Sequence, residues 1–457
     1  MFRDLRSHKG YKPSGITWMP TIPSHWRTQR LKTVVYEKNV KGFPDEPLLA
    51  ATQARGVILK TEFETRTVEA QKSLETLKLV DVNDFVISLR SFQGGIERSH
   101  ARGIISPAYT VLQTQNAGNR EYLALLFKSR QFIDALTLTV TGIREGQNIE
   151  YPRLARELVA LPPAAEQAAI VKYLAHAQAR VDKAINAKRK LIALIEERKQ
   201  VIIDQAVTRG LAASTQFKDS EVAWLGEVPT HWKIRRIKYL LRPINKRSIA
   251  GDEQRLTVSS AKGIVPRADA SVTMFEAATY VGHKLCWPDD LVINSLWAWG
   301  RGLGVSRHHG LVSAAYGVYR SRVGTGLVPA YLHEVVRSRP FHKELFVQSR
   351  GVWKSRLQLT DERFLALYMP LPPLSEQIQI VEYLRGKSTE SDNAVAKIAR
   401  EIELLREFRT RLTSDVVTGQ VDVREIAATL FELNDDVPLG TGDELIDPEP
   451  ELEEPGD

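Results

Sequence analysis

The sequence predicts an α+β protein of two similar halves, joined and separated by two long antiparallel coiled-coil helices under a pseudo-two-fold repeat. Three observations carry that expectation. First, the chain repeats its own text after about 210 residues: Trp18, Pro23, His25 and Trp26 recur as Trp224, Pro229, His231 and Trp232. Asp84-Phe-Val-Ile recurs as Asp290-Leu-Val-Ile, Ser106-Pro-Ala-Tyr109 as Ser313-Ala-Ala-Tyr316, and Tyr122, Ser129, Phe132 and Gly142 as Tyr331, Ser338, Phe341 and Gly351. Two collinear copies of this length are too few and too long for a solenoid. Second, each copy alternates short β-type runs with turn residues before it changes character. Third, each copy closes in a long proline-free stretch with heptad-like apolar spacing.

The elements follow in order. Phe85–Leu89 and Leu291–Asn294 are apolar runs of buried-strand type, and Gly103-Ile-Ile and Gly310-Leu-Val open a second strand pair. Tyr122–Leu136 and Tyr331–Val347 have helical spacing and good helix formers, the second despite Pro340. Leu158–Leu161 and Leu367–Leu371 read as closing strands. Leu161-Pro-Pro-Ala-Ala-Glu-Gln167 and Leu371-Pro-Pro-Leu-Ser-Glu-Gln377 then start the helices. Proline fits a first helical turn, and Glu166 or Glu376 suits its positive end.

In the first helix Leu174, Val181, Lys188, Ile195 and Ile202 share a face with Ala177, Ala184, Ile185 and Leu191. The second repeats Ile398, Ile402, Leu405, Arg409, Leu412 and Val416, so Lys188 and Arg409 interrupt the two seams. A rod of about 40 residues with one apolar stripe needs a partner. The first helix starts on the first half and ends on the second, so a pseudo-two-fold relation sends the other helix back beside it. The expected organisation is 1–163 globular, 164–211 helix, 212–373 globular, 374–424 helix and 425–457 acidic tail.

With 457 residues there is chain enough for two or three cored domains. The formal net charge of +8 conceals a tail, 432–457, with eleven acidic and no basic side chains, so the remainder carries +19. Such a tail lacks the apolar content to fold alone. A body this basic points to a polyanionic partner, because phosphate contacts release counterions. Cys286 is the only cysteine, which excludes an intramolecular disulfide and a cysteine metal cluster and leaves a small core residue as its expected role. No signal-peptide core or membrane-length run occurs, so a cytoplasmic location is expected.

The doubled Leu-Pro-Pro-x-x-Glu-Gln motif, the Ile22-Pro-Ser-His-Trp26 and Val228-Pro-Thr-His-Trp232 motifs, and the helix endings Ala206-Val-Thr208 and Val416-Val-Thr418 together resemble the specificity subunit of type I restriction–modification enzymes, over roughly 14–424. The resemblance implies two target-recognition domains, each reading one half of a bipartite site in double-stranded DNA. It also implies that the paired helices set the spacing and dock two methyltransferase subunits, which bind S-adenosylmethionine. Motor-nuclease subunits, with ATP and magnesium, join in the restriction form. The acidic tail is not part of the shared pattern.

Catalysis by this chain is not expected. The Pro-Pro pairs follow Leu161 and Leu371 where an amino-methyltransferase needs Asn or Asp, and there is no P-loop and no Gly-rich methyl-donor turn. The chain is therefore expected to bind no cofactor and no metal. The alternative, a self-sufficient restriction or modification enzyme or its recognition portion, lacks those motifs; a bare coiled-coil scaffold would leave two basic, loop-rich halves unexplained.

Base reading needs polar side chains on loops at strand ends, with Lys and Arg near phosphates. Three pairs of equivalent segments qualify. Gln53 and Arg55 match Ser259, Ser260 and Lys262; Arg90, Ser91 and Gln93 match Trp297, Trp299 and Arg301; Arg144, Gln147 and Asn148 match Lys354 and Arg356. His25 and His231, beside a tryptophan in both halves, are expected to share a structural role.

Overall fold

A computed structural model of the chain describes residues 5–62, 74–137, 140–141, 148–212, 215–260, 262–270, 279–351 and 357–431. Its contacts divide into two compact units. Among the described residues, one combines the chain up to Lys188 with the chain from Ala399 to Phe431; the other is Arg189–Ile398.

In the first unit an antiparallel four-stranded sheet runs in the order Val35–Glu37, Thr110–Thr114, Phe85–Ile87, Glu97–Arg98. The apolar run read as Phe85–Leu89 supplies its centre, and Phe85 is fully buried. A ladder of Gly103–Ile105 with Lys78–Val80 and a hairpin of Leu49–Thr52 with Gly56–Leu59 accompany it. Leu158–Leu161 pairs with Arg27–Arg30 as a closing strand.

The second unit repeats this plan strand for strand. Its four-stranded order is Leu241–Pro243, Gly317–Ser321, Leu291–Ile293, Leu303–Val305. Gly310–Val312 pairs with Lys284–Cys286, Leu256–Ser259 forms a hairpin with Gly263–Pro266, and Tyr368–Leu371 pairs with Lys233–Arg236. Cys286 is fully buried among Leu256, Val258 and Val312, and burial pushes its thiol up to about 11, so it is a core residue.

The sequence ran one helix through each of Tyr122–Leu136 and Tyr331–Val347; each is two helices. They are Arg120–Phe127 with Arg130–Thr137, and Pro329–Arg337 with Arg339–Gln348. The breaks fall at Ser129 and Ser338, whose hydroxyls donate to the carbonyls of Leu126 and Val335 at 2.7 Å each. A serine bonded to its local backbone competes with the helical ladder. Pro340 then lies in a first turn, where its missing N–H costs nothing.

The long helices run Ala164–Arg209 and Leu374–Val417. Their 46 and 44 residues span roughly 69 and 66 Å at about 1.5 Å per residue. They lie antiparallel within each unit. In the first, Gln178 meets Thr413, Asp182 meets Arg409 at 2.9 Å, and Lys188 meets Glu401 at 2.5 Å. In the second, Lys199 meets Asp392 at 2.7 Å. The two cations that interrupted the seams are thus each answered by a carboxylate on the facing helix.

Both helices stop at a left-handed glycine, Gly210 at φ 74° and Gly419 at φ 71°. A side chain at Gly419 would sit 2.6 Å from Pro23, so the stop is also a docking point. Tyr122 donates to the carbonyl of Val417 at 2.9 Å in the first unit, and Tyr331 to Val207 at 3.3 Å in the second. Each unit's core therefore receives the end of one long helix and the start of the other.

One boundary needs correction. The acidic tail was set at 425–457, yet Arg424–Ala428 is helical, Ala427 is buried, and Ile426 and Leu430 pack on the first unit's core. The Phe431 ring packs edge-on against His176 at 4.8 Å. The apolar spacing of Ile426, Ala427 and Leu430 overrides the acidic composition, and the described chain continues to Phe431.

Candidate nucleic-acid interface

Each unit is pinned at its root by the two motifs that recur in the sequence. In the first, Glu166 bonds His25 Nε2 at 2.6 Å and accepts from Trp26 Nε1 at 2.9 Å. In the second, Glu376 bonds His231 Nε2 at 2.7 Å. Gln167 and Gln377 donate to the carbonyls of Pro162 and Pro372. The His-Trp and Pro-Pro-x-x-Glu-Gln motifs are two sides of one clamp, which gives the histidines the structural role expected of them.

Near the centre of each four-stranded sheet a buried aspartate is neutralised in two different ways. Asp84 accepts from Lys38 at 2.7 Å and lies 3.4 Å from the Gln113 amide. Asp290 takes both forks of Arg320 at 2.7 Å each, and this pairing raises the guanidinium pKa. Gln113 and Arg320 occupy matching positions on their strands, so the positive charge has moved and the carboxylate has stayed.

At the hairpin tips the units correspond again. The short helix Ser91–Gly94 lies against the tip of the first hairpin, with the Gln53 amide 3.5 Å from the Arg90 carbonyl. Lys128, at the end of Arg120–Phe127, donates to the carbonyls of Gln53 at 3.2 Å and Gly94 at 2.9 Å and to Glu97 Oε2 at 2.6 Å. Glu97 is 2 % exposed; burial pushes its carboxyl up to about 7, against the pull of Lys128. In the second unit Arg337 takes the Lys128 position and donates to the carbonyls of Ser260 at 2.5 Å and Leu303 at 2.8 Å. Burial, with Arg301 nearby, holds its pKa down at about 10. Each tip is thus stapled by a cation at the C-terminal end of the same helix.

The sequence candidates divide accordingly. Gln53, Arg55, Arg90, Gln93 and Lys262 are exposed around the two tips. Arg55 also reaches the Glu62 carbonyl at 3.1 Å. Ser91 and Ser259 are buried and accept from the backbone N–H of Ser88 at 2.8 Å and Lys262 at 3.2 Å, so their hydroxyls shape the turns. Ser260 is half-buried. Trp299 donates to the Leu296 carbonyl at 3.0 Å, and Trp297 packs against Gly300 and Gly302. Arg301, in a left-handed turn, donates to Gln200 on the first long helix at 3.0 Å and to the Arg337 carbonyl at 2.8 Å. Trp297, Trp299 and Arg301 thus build the loop that carries them. Arg144, Gln147, Lys354 and Arg356 lie outside the described residues, as does the side chain of Asn148. Lys128, Glu97 and Arg337 were missed, although the Tyr122/Tyr331 and Ser129/Ser338 matches place Lys128 and Arg337 in one column.

No protein-family model and no curated protein matches the sequence. Solved structures do. A chain from a study of complex assembly and conformational transition of the type I R-M system aligns at TM-score 0.58 and 16 % identity, over 87 % of this chain and 98 % of its own. The HsdS subunit from Thermoanaerobacter tengcongensis aligns at TM-score 0.46 and 16 % identity over 87 % and 98 %. The type I restriction-modification S subunit from M. genitalium aligns at 0.31 and 10 % over 86 % and 96 %. No helix among the described residues is long and apolar enough to cross a membrane. The chain shares its fold with that chain from the type I R-M system, the class of system that its doubled motifs resemble.

Proposed function

We propose that this chain is the DNA sequence-specificity subunit of a type I restriction–modification complex, each unit reading one half of a bipartite site. The observation that carries the reading is the pair of stapled tips. One scaffold occurs twice, held by Lys128 in one unit and Arg337 in the other, while the side chains it presents differ: Gln53, Arg55, Arg90 and Gln93 against Ser260 and Lys262. Two different half-sites require a constant frame with a variable edge. Gln53 and Gln93 have the donor–acceptor pair that suits adenine, and Arg55, Arg90 and Lys262 suit guanine or phosphate. The +19 body supplies the sequence-independent share of affinity.

The long helices set the spacing between half-sites and dock two methyltransferase subunits, which carry S-adenosylmethionine; motor-nuclease subunits with ATP and magnesium complete the restriction form. This chain contributes no catalytic group. Exchanging residues 212–373 for the matching segment of a related specificity subunit, followed by methylome sequencing, tests the modular reading. One altered half-site is expected, and a change in both refutes it. Methylation of DNA by the purified chain with labelled S-adenosylmethionine alone would establish a self-sufficient enzyme instead.

A further inference from the structure

We propose that His8, His25 and Glu166 form a binding site for one divalent transition-metal ion of the zinc class, built into the root of the first unit. His25 Nε2 lies 2.6 Å from Glu166 Oε2, and His8 Nε2 lies 3.7 Å from Glu166 Oε1. One ligand atom from each of the three residues falls within 4.8 Å of the others. A tetrahedral ion with bonds of about 2.1 Å holds its ligand atoms roughly 3.4 Å apart. The two histidines approach different oxygens of Glu166, and a separation as wide as 4.8 Å closes onto an ion by a side-chain shift of roughly 1–1.5 Å. Two imidazoles with one carboxylate suit zinc, cobalt(II) or nickel(II) and not calcium or magnesium, which take oxygen.

The surroundings have the character of a supporting shell. The side chain of His8 is 2 % exposed, and its Nδ1 is buried without a hydrogen-bond partner. That atom faces Asp422 Oδ2 at 3.6 Å, and Asp422 is itself fixed by Arg424 at 2.6 Å. A small inward shift completes a carboxylate–histidine–metal relay, which orients a ligand ring through its second nitrogen. Trp26 donates to Glu166 at 2.9 Å and orients the carboxylate. Access is open, since the His25 side chain is 38 % exposed.

The second unit shows what His8 adds. There the His231–Glu376 pair stands without a second histidine among the described residues; the position matching His8 is Ser214 in the sequence. The clamp therefore folds without metal, and His8 converts one of its two copies into a ligand set. His8 is delivered by a segment that bridges to the chain beyond the second long helix, where the Asp422 N–H donates to the Arg6 carbonyl at 2.8 Å. A bound ion ties the amino-terminal segment, the His-Trp turn and the start of the first long helix together, with the carboxy-terminal Asp422 behind them.

The test uses the full chain, free of any histidine tag and stripped with chelator. Cobalt(II) is titrated while its ligand-field absorption is followed, then displaced with zinc. One equivalent with tetrahedral intensity is expected, and zinc at a hundredfold excess over its Kd should raise the first unit's Tm by about 5–10 °C. His8→Ala should weaken binding at least tenfold with an unchanged circular dichroism spectrum, and His231→Ala should leave it intact. Should His8→Ala not fold, His25→Ala carries the same comparison. Absence of stoichiometric binding, or full binding in the histidine variant, overturns the site. Neither result bears on DNA reading, because the site lies at the clamp and not at the tips.

Discussion

Glu97→Gln separates the charge of the buried staple from its shape. In the folded chain the Glu97 carboxyl is pushed up to about 7 from 4.5, by burial that outweighs Lys128. Below pH 4.5 folded and unfolded chains both hold the proton. Between there and pH 7 only the folded chain holds it, so this group's stability is present at low pH and lost as pH rises through about 7. A shift of about 2.5 pH units corresponds to about 3 kcal/mol. Glutamine removes that dependence while keeping the shape and a hydrogen-bonding oxygen for Lys128. Urea unfolding of both proteins between pH 4.5 and 8 gives the difference in stability at each pH. The variant should gain on the wild type by about 3 kcal/mol across the window, whatever its offset at low pH. A difference that stays flat would mean that Glu97 titrates as an ordinary carboxylate, and the staple would then not be a strained buried pair.

Three further outcomes are expected. Tyr122→Phe removes the bond to the Val417 carbonyl and should cost about 1 kcal/mol in denaturant unfolding; a neutral result would mean that the helix end docks by packing alone. Inserting seven residues into both long helices, near Arg189 and Ile398, lengthens each by about 10 Å, or roughly three base pairs of DNA, and should widen the methylated site's spacing correspondingly; full activity at the old spacing would remove the helices as its determinant. A chain ending at Phe431 loses eleven acidic side chains and should bind non-cognate DNA more tightly at low salt, the gain vanishing as screening shortens to about 10 Å near 0.1 M; superimposable curves at the lowest salt would deny the tail an electrostatic role.

The repeated framework was legible because its residues act through backbone and core, where the two halves have one solution. The clamp and the closing strands stand in matched columns. What escaped were features in which the halves reach one result by different chemistry. Lys128 answers Glu97, whereas Arg337 uses carbonyls and its unit has Gly304 in place of the acid. Asp84 and Asp290 draw their cations from different strands. Ser129 and Ser338 were recognised as a match, yet their helix-breaking bonds depend on rotamer and not on residue type. The tip residues were chosen for polarity, which could not distinguish the exposed Gln53 from Ser259, whose hydroxyl is turned inward to the backbone.

The division of the chain has a consequence for its synthesis. Arg189–Ile398 is continuous, and everything its core contains has been made by the time Ile398 is added. The first unit begins earlier and finishes later, because Leu412, Val416, Val417 and Ala427 belong to its core. About 210 residues separate its two portions, and a ribosome adding roughly 5–20 residues per second takes some 10–40 s to cover them. Throughout that interval the Tyr122 hydroxyl and the wall meant for the last helical turns face solvent. The half that emerges first is thus the half whose core is completed last.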